Sequence, residues 1–484
     1  MKLQKFDGYT FVEGGVCAAQ GFLANGIQCG LAHKALSEDA PSPTAGKKKH
    51  DLAVIYAEVP CAAAAVYTTN KVKGAPILVT REHLKNGTAQ AVIVNSVNAN
   101  TCNPDGVEKA TKMCQLAADA LKLEESEIIV ASTGVIGQVL PIEPIAAAVP
   151  ELCKGLNPKG NAAAVEAIMT TDTMPKEIAV SFTLGGKPCK LGGMLKGSGM
   201  IHPNMATTLT FLTTDADIAP ALLQQALSDV VKLTLNRVSV DGDTSTNDMV
   251  CVLANGKAGN APIRTANADY DTFKQALYVI LLNLARMMAR DGEGATKLIT
   301  CLCEGAPDEK TAEIVAKSVI TSSLVKTAIF GRDANWGRIA CAAGYAQADF
   351  DLEKLDIDVA SENGRIAACR KGVIPDFSEE EAARILEPEE IRIQLCSGGK
   401  VNAYAAMQYE GIEIDGIQIT EVAQGVRVLF PYDFPEGRIV GLVEAATPDI
   451  RKSFVSLITA RYEEEKAKAR HGPERADQKR EVVR

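Results

Sequence analysis

The sequence predicts a layered α/β protein, an α+β sandwich in which helices cover β-sheets. Short apolar runs typical of buried strands, such as Asp51–Tyr56 and Ala91–Val94, alternate with segments of helical apolar spacing, such as Gly106–Leu121. Because the strands and helices do not alternate strictly, layers are favoured over a barrel. The chain has 484 residues, which is long enough for about two to four cores of this kind.

The other elements follow from the same patterns. Strands are predicted at Glu127–Ala131, at Ile178–Leu184, where a hairpin turns at Gly185-Gly186, and at Thr208–Thr213; helices are predicted at Ala219–Arg237 and Tyr270–Arg290. Segment 33–49 contains Pro41, Pro43 and the run Lys47–Lys49, and it predicts an exposed loop. Segment 461–484 has eight basic and six acidic residues, which predicts a charged tail that frays into disorder.

Charge and hydropathy exclude several kinds of partner. The formal net charge is −9, so no basic excess indicates nucleic acid. The most apolar helical stretch, Ala276–Met288, contains Asn283 and Arg286 and is too short to cross a bilayer, so no membrane partner is expected. The first residues have neither an apolar signal core nor the character of a transit peptide, so a cytoplasmic protein is expected.

Cysteine and histidine usage argues against a metal centre. The 13 cysteines form no Cys-x-x-Cys pair, which predicts reduced thiols, and the five histidines show no HExxH spacing. The acidic segment Asp241–Asp248, together with Asp333, could suggest a divalent cation, but the spacing of a calcium loop is not met. Hydrogen bonding in buried turns is the favoured role for these carboxylates.

Lys196–Thr208, a segment rich in glycine and turn residues, carries the most chemical information. Its order of glycines and lysine fits neither a Walker loop nor a dinucleotide fingerprint. After a strained turn, Thr207 could attack the carbonyl of Ala206, and hydrolysis of the ester would leave Thr207 with a free amine. That amine would have a pKa of roughly 7.7–8.0, which suits a general base. The residues alone do not decide between self-cleavage and an ordinary turn.

This segment and several others resemble the ornithine acetyltransferase family, also called glutamate N-acetyltransferase. The likeness extends from about residue 10 to about residue 400. Besides Lys196–Thr208, the matching segments in order are Thr68-Thr69-Asn70, Val94-Asn95-Ser96, Asn98-Ala99-Asn100, Ser132–Gly137, Thr170–Thr173, Asp241–Asp248, Asp291–Lys297 and Gly331–Arg338.

The resemblance implies an N-terminal-nucleophile type of fold and reaction. The chain would cut itself between Ala206 and Thr207, giving an α chain of residues 1–206 and a β chain of 207–460, followed by the tail at 461–484. Thr207 would take the acetyl group of N-acetylornithine and pass it to glutamate, while Thr133 and Gly134 form the oxyanion hole. No metal or bound cofactor is implied, acetyl-CoA is a possible second substrate, and two α and two β chains would assemble.

The resemblance also assigns residues to the substrate. Lys196 would bind the α-carboxylate of ornithine and Glu293 its side-chain ammonium, which are complementary charges. A substrate-binding threonine is expected at Thr170 or Thr171, with Thr170 favoured.

The chain departs from the family in three places. Val97 replaces a usual glycine, and its branched side chain argues against a positive φ. The loop at 33–49 is longer than typical. The family's closing C-terminal segment is missing, and the chain instead continues for about eighty residues from Val401.

Two alternatives remain beside the acetyltransferase. One is an amidase or aminopeptidase of the N-terminal-nucleophile type, which would pass the acyl group to water. The other is an uncleaved, inactive homologue that serves as a binding protein.

Overall fold

The computed structural model describes residues 3–31, 50–202, 208–349, 351, 354–396, 403–409, 412–422 and 425–429, the last three ranges as backbone alone. The predicted loop at 33–49, the predicted cleavage pair Ala206 and Thr207, and the predicted tail at 461–484 lie outside these residues. The chain divides into two compact units, Met1–Leu298 and Ile299–Arg484. This boundary separates two packed units and lies at 298/299, whereas the predicted cleavage of the peptide bond at 206/207 remains a prediction.

The first unit is built on a mixed sheet of nine strands. In chain order they are β1 (Thr10–Val12), β2 (Phe22–Ile27), β3 (Leu52–Tyr67), β4 (Thr88–Asn95), β5 (Ile128–Ser132), β6 (Lys176–Leu184), β7 (Lys187–Lys196), β8 (Leu209–Thr214) and β9 (Met249–Ala254). They pair in the order β1-β6-β7-β8-β9-β3-β4-β5, with β2 also on β3. Two pairs, β4 with β5 and β8 with β9, are parallel, and the others are antiparallel.

Helices pack against this sheet in groups. They are α1 (Ala75–His83), α2 (Gly106–Leu121), α3 (Ile142–Lys154), α4 (Asn161–Ile168), α5 (Pro220–Leu233) and α6 (Ala268–Arg290). Helices α1 to α3 share an apolar core with β3, β4 and β5, whereas α5 and α6 share another with β6 to β9. Helix α4 lies against β2 and β3. The predicted layered α/β class is therefore confirmed.

The second unit has its own sheet and core. Its helices are α7 (Glu309–Thr321), α8 (Ser323–Phe330), α9 (Trp336–Gly344) and α10 (Glu379–Ile385), and its strands are β10 (Leu298–Glu304), β11 (Asp356–Ser361), β12 (Gly364–Cys369) and β13 (Glu390–Cys396). These strands pair in the order β10-β13-β11-β12. Three more strands, β14 (Ala403–Tyr409), β15 (Ile412–Val422) and β16 (Gly425–Leu429), form an antiparallel sheet. Across the described ranges, no helix is both long and apolar enough to span a membrane.

Most predicted elements are found, with differences at their ends. Helix α2 has the predicted bounds, and the predicted hairpin turns between β6 and β7. Strand β3 continues far beyond the predicted Tyr56, through a run of alanines that carries little strand signal. Its register shifts near Pro60, where an irregular ladder tolerates the missing N–H. The predicted helix from Ala219 ends at Leu233, and a separate 3₁₀ turn follows.

The expectation that Val97 avoids a positive φ is wrong. Its φ is 76°. Its carbonyl accepts a hydrogen bond of 2.9 Å from Val135, and a Cβ at Gly134 would lie only 2.1 Å from the Val97 carbonyl carbon. The loops after β4 and β5 therefore hold the Val97 backbone in place against its steric preference, at a cost of about 1–3 kcal/mol.

Replacing Val97 by glycine or by alanine tests this strain. Both changes remove the two γ-methyl groups of valine, but only glycine, which also lacks Cβ, relieves the left-handed backbone. We expect V97G to be more stable than V97A by about 0.5–1 kcal/mol, the reverse of the order in ordinary strands and helices. Urea unfolding of the two variants measures this difference, and a more stable alanine variant would contradict the backbone conformation.

Candidate active site

Four strands of the first unit place their ends in one row. The register pairs Lys196 of β7 with Leu209 of β8, Leu209 with Met249 of β9, and Met249 with Tyr67 of β3. The loops that leave these residues therefore meet at one edge of the sheet. Lys196 thus lies beside the start of the strand that follows Thr207 in the chain.

The described residues on either side of the predicted cleavage site are fastened to one segment. Before it, the Ile201 N–H donates to Asp241 Oδ1 at 2.9 Å, and the Thr244 hydroxyl donates to the His202 carbonyl at 2.8 Å. After it, the Met249 N–H donates to the Thr208 carbonyl at 2.8 Å. Asp241 therefore provides a turn hydrogen bond, but it is exposed and not buried as the sequence predicted, and residues 241–249 hold both described flanks.

Asn247 connects this edge to the strand that carries the predicted oxyanion hole. Its Nδ2 donates to the carbonyl of Ser132 at 3.0 Å and to that of Ala99 at 2.6 Å. Its Oδ1 accepts from the Thr101 hydroxyl at 2.6 Å. Asn247 precedes Asp248 and Met249, and Ser132 precedes Thr133, so this side chain joins the two predicted halves of the site.

Thr133 and Gly134 present donors at the end of β5. Thr133 is 8% exposed, and its N–H donates to the Asn95 carbonyl at 3.0 Å. Gly134 has a φ of 129°, a backbone conformation that a residue with a side chain would adopt only with strain. Among the described residues, neither the Thr133 hydroxyl nor the Gly134 N–H is bonded to a protein group. Two adjacent donors are therefore available for a ligand oxygen.

A buried ion triad lies beneath the loops that carry the predicted substrate residues. Lys176 Nζ is 2.6 Å from Asp172 Oδ1 and 2.5 Å from Asp291 Oδ2. The side chains of Lys176 and Asp172 are fully buried, and that of Asp291 is 3% exposed. Opposite charges at this distance offset the cost of taking them out of water, so removal of one member is strongly destabilising.

Each carboxylate of the triad also holds a loop. Asp172 accepts from the Thr170 N–H at 3.0 Å and from the Gly197 N–H at 2.8 Å. Asp291 accepts from both the N–H and the hydroxyl of Thr173. The triad therefore fixes the start of the 170–173 loop relative to the end of β7.

The loop after α6 is tied to the same place through Ser198. The Ser198 hydroxyl donates to the Asp291 carbonyl at 2.7 Å, and the Glu293 N–H donates to the Ser198 carbonyl at 3.1 Å. The Glu293 carboxylate lies over Gly199, where a Cβ would be 2.2 Å from Oε2. Glu293 is thereby brought to the loop that begins at Lys196.

Electrostatics couples these groups. Burial lowers the pKa of the Lys196 ammonium, while the charges of Asp172, Asp248 and Glu293 oppose that effect. Burial acts to raise the pKa of Asp172, but Lys196 and Lys176 outweigh it and hold the pKa below its usual value. Burial raises the pKa of Asp248 well above its usual range. Asp248 is 3% exposed, and its Oδ2 has no hydrogen-bond partner in the described part of the chain.

The structure thus brings three of the predicted substrate residues into one region. Lys196 and Glu293 share one edge of the sheet, and Thr170 reaches it through Asp172. Thr170 is half-buried and Thr171 is exposed. Thr207 and Ala206 lie outside the described residues, so their roles remain predictions.

Sequence reasoning missed the groups that support the site. Lys176 and Asp291 have no predicted role, and Asn247 appears only as part of the predicted segment Asp241–Asp248. A lysine at the first position of a strand whose next residues are mostly apolar was the available signal, because lysine is almost never fully buried without a partner.

A match to known proteins gives the family. The model of the ArgJ family matches residues 40–409, and the chain belongs to that family. Arginine biosynthesis bifunctional protein ArgJ 1 of Clostridium acetobutylicum is 47% identical over 377 residues, which cover 77% of this chain and 92% of that protein. The ArgJ protein of Staphylococcus epidermidis is 45% identical over 420 residues, which cover 85% of this chain and 100% of that protein.

Two solved structures are also similar in sequence. The argJ protein of Bacillus halodurans is 39% identical, with a TM-score of 0.36, and covers 41% of this chain and 98% of its own. The ornithine acetyltransferase of Mycobacterium tuberculosis, complexed with ornithine, is 33% identical, with a TM-score of 0.36, and covers 41% of this chain and 100% of its own. The predicted enzyme class, an acyltransferase of arginine biosynthesis, is confirmed by the family.

Removing the buried lysine tests the triad. K176M leaves two carboxylates without their counter-charge, so we expect a loss of about 3–5 kcal/mol in the free energy of unfolding at pH 7. In the parent, the contribution of Asp172 is fully present above about pH 4 and is lost only as the pH falls through its lower folded pKa. In the variant, burial of Asp172 is less opposed, so its pKa rises and the deficit should shrink between pH 7 and pH 5.

Lys85 provides the matched control. Its ion pair with Glu82 has a similar length, 2.7 Å, but both side chains are more than 60% exposed. K85M should cost less than about 1 kcal/mol at either pH. Urea melts at the two pH values measure both variants. Equal losses for K176M and K85M would contradict the structural role of the triad.

Proposed function

We propose that this chain transfers the acetyl group of N-acetylornithine to glutamate, after cleaving itself between Ala206 and Thr207. One observation carries the proposal: Lys196, Glu293 and the strand that follows Thr207 converge at one edge of the sheet, and Asn247 ties that edge to the Thr133 loop. The two groups that would recognise the substrate charges therefore lie at the sheet edge where the strand that follows the proposed nucleophile begins.

The proposed reaction proceeds in two halves. The Thr207 amine accepts the proton of the Thr207 hydroxyl as its oxygen attacks the acetyl carbonyl. The oxyanion accepts hydrogen bonds from the Thr133 hydroxyl and the Gly134 N–H. The intermediate collapses, the α-nitrogen of ornithine leaves with a proton, and an acetyl ester remains on Thr207. The amine of glutamate then attacks this ester by the same steps in reverse, and no metal or bound cofactor is needed.

Electrostatic recognition of its two charged groups would orient the acetyl donor, N-acetylornithine. Lys196 pairs with the α-carboxylate of N-acetylornithine and Glu293 with its side-chain ammonium. Thr170, which the triad holds through its N–H, contacts the substrate in preference to the exposed Thr171.

The wider proposal covers assembly and a second substrate. Two α and two β chains assemble in the cytoplasm, and the enzyme also accepts acetyl-CoA. The names of the relatives support this last point, because they describe bifunctional proteins. Glutamate-independent release of acetate would instead favour an amidase, and an intact chain would favour an uncleaved binding protein.

The cleavage prediction is tested by intact mass spectrometry of the purified protein. We expect two fragments of 206 and 278 residues (484 − 206), the larger beginning at Thr207. T207A should remain a single chain because alanine has no hydroxyl, whereas T207S should still cleave.

Thr208 is the control that the chain itself supplies. It is 2% exposed, and its hydroxyl is bonded to that of Thr210 at 2.5 Å inside the sheet. T208A should therefore cut normally. A fragment that begins at Thr208, or cleavage of T207A, would show that the nucleophile is misassigned.

The oxyanion hole is tested by T133A. Loss of one preorganised donor should lower kcat by about 10²–10³ while the melting temperature changes little. Steady-state kinetics with N-acetylornithine and glutamate measures the effect, and turnover within about twofold of the parent would remove Thr133 from the mechanism.

Substrate charge is tested at Lys196 and Glu293. K196M and E293Q should each reduce kcat/KM for N-acetylornithine by roughly 10- to 100-fold, mainly through KM, because each removes one charge-assisted hydrogen bond. N-acetyl-leucine, which lacks the side-chain ammonium, should be a poor donor for the parent. Equal use of the two donors would contradict the proposed charge reading.

A further inference from the structure

Asp172 makes two hydrogen bonds that distinguish it from Asp291, the other carboxylate of the triad. Through Oδ2 it accepts from the Thr170 N–H at 3.0 Å, and through Oδ1 it accepts from the Gly197 N–H at 2.8 Å. Gly197 directly follows Lys196, so a single fully buried carboxylate fixes both the Thr170 loop and the end of β7. The carboxylate of Asp291, by contrast, accepts from Thr173, and among the described residues it has no hydrogen bond to Lys196 or Gly197. The Ser198 hydroxyl donates to the backbone carbonyl of Asp291, not to its carboxylate.

Several charged groups face Lys196. They come from four elements: Asp172 from the loop before β6, Lys176 from β6, Asp248 from the residue before β9 and Glu293 from the loop after α6. Among the acidic groups, the charge of Asp172 acts most strongly on Lys196. The two carboxylates of the triad are therefore equivalent toward Lys176 but not toward Lys196.

We propose that Asp172 is the positioning residue of the substrate-carboxylate site, because it holds the Lys196–Gly197 turn and the Thr170 loop at a fixed separation and keeps a negative charge beside Lys196. The proposal rests on the proposed function, in which Lys196 binds the carboxylate of the donor. Asp172 acts through Lys196 and Thr170 and does not touch the substrate.

This role has a consequence for pH dependence. Lys196 binds a carboxylate well only while it is protonated, and burial already lowers its pKa. Loss of the Asp172 charge lowers that pKa further, so the lysine loses its proton at a lower pH. The alkaline limb of kcat/KM for N-acetylornithine should then move toward acid.

The test compares D172N with D291N, two identical changes within one triad. Both should lower the melting temperature, because each removes one counter-charge of Lys176. D172N should shift the alkaline limb by about one pH unit or more and raise KM for the donor, whereas D291N should leave the limb within about 0.3 unit of the parent. Equal shifts in both variants, or no shift in D172N, would overturn the proposal.

A second variant keeps the test decisive if D172N does not fold. D172E retains the charge but moves the carboxylate by one methylene. It should keep the alkaline limb of the parent while KM for the donor rises at least about tenfold, since both backbone N–H groups lose their fixed acceptor. A parent-like KM in D172E would show that the position of this carboxylate does not matter.

Failure of the proposed function would be recognised separately. If K196M leaves KM for N-acetylornithine unchanged, the proposed carboxylate site is wrong, whatever Asp172 does. If K196M raises KM but D172N behaves like D291N, the site stands and only the positioning role of Asp172 is rejected.

Discussion

The burial of Lys176 between Asp172 and Asp291 is the constraint on which the candidate site depends. An ammonium without solvent is tolerable only when carboxylates meet it directly, so three chain segments must come together wherever this lysine lies. Those segments are the loop before β6 with Asp172, the first residue of β6, Lys176, and the residue that follows α6, Asp291. Each carboxylate has further lone pairs, and they are used to hold neighbouring loops.

A rigid edge of the sheet results from this arrangement. The register of β7, β8, β9 and β3 sets the row of strand ends, and the triad fixes the loops that extend beyond it. Asn247 joins the row to the loops after β4 and β5, where Val97 has a strained backbone and Gly134 has no space for a side chain. Polar side chains thus fix loop positions that the apolar core alone would leave free. An active site requires this, because its hydrogen-bond donors must be held in place before the substrate binds.

Much of the fold could be predicted because its signals are local. Helix α2 and the β6–β7 hairpin follow directly from apolar spacing and a Gly-Gly turn. The alanine-rich half of β3 could not be predicted, because only its place in the sheet makes it a strand. The conformation of Val97 could not be predicted for the same reason, since contacts with Gly134 override its local backbone preference. In the site, the resemblance supplied the substrate residues, whereas Asp291, one partner of Lys176, is 115 residues away in sequence, beyond any local pattern.

A crystal structure of the purified protein with bound ornithine tests the central claim most directly. The account predicts a chain break between residues 206 and 207, the ornithine carboxylate within hydrogen-bond distance of Lys196 Nζ, and its side-chain ammonium at Glu293. It also predicts that Asp172 keeps its hydrogen bonds to Thr170 and Gly197 in that complex. A continuous chain, or ornithine bound away from Lys196 and Glu293, would contradict it.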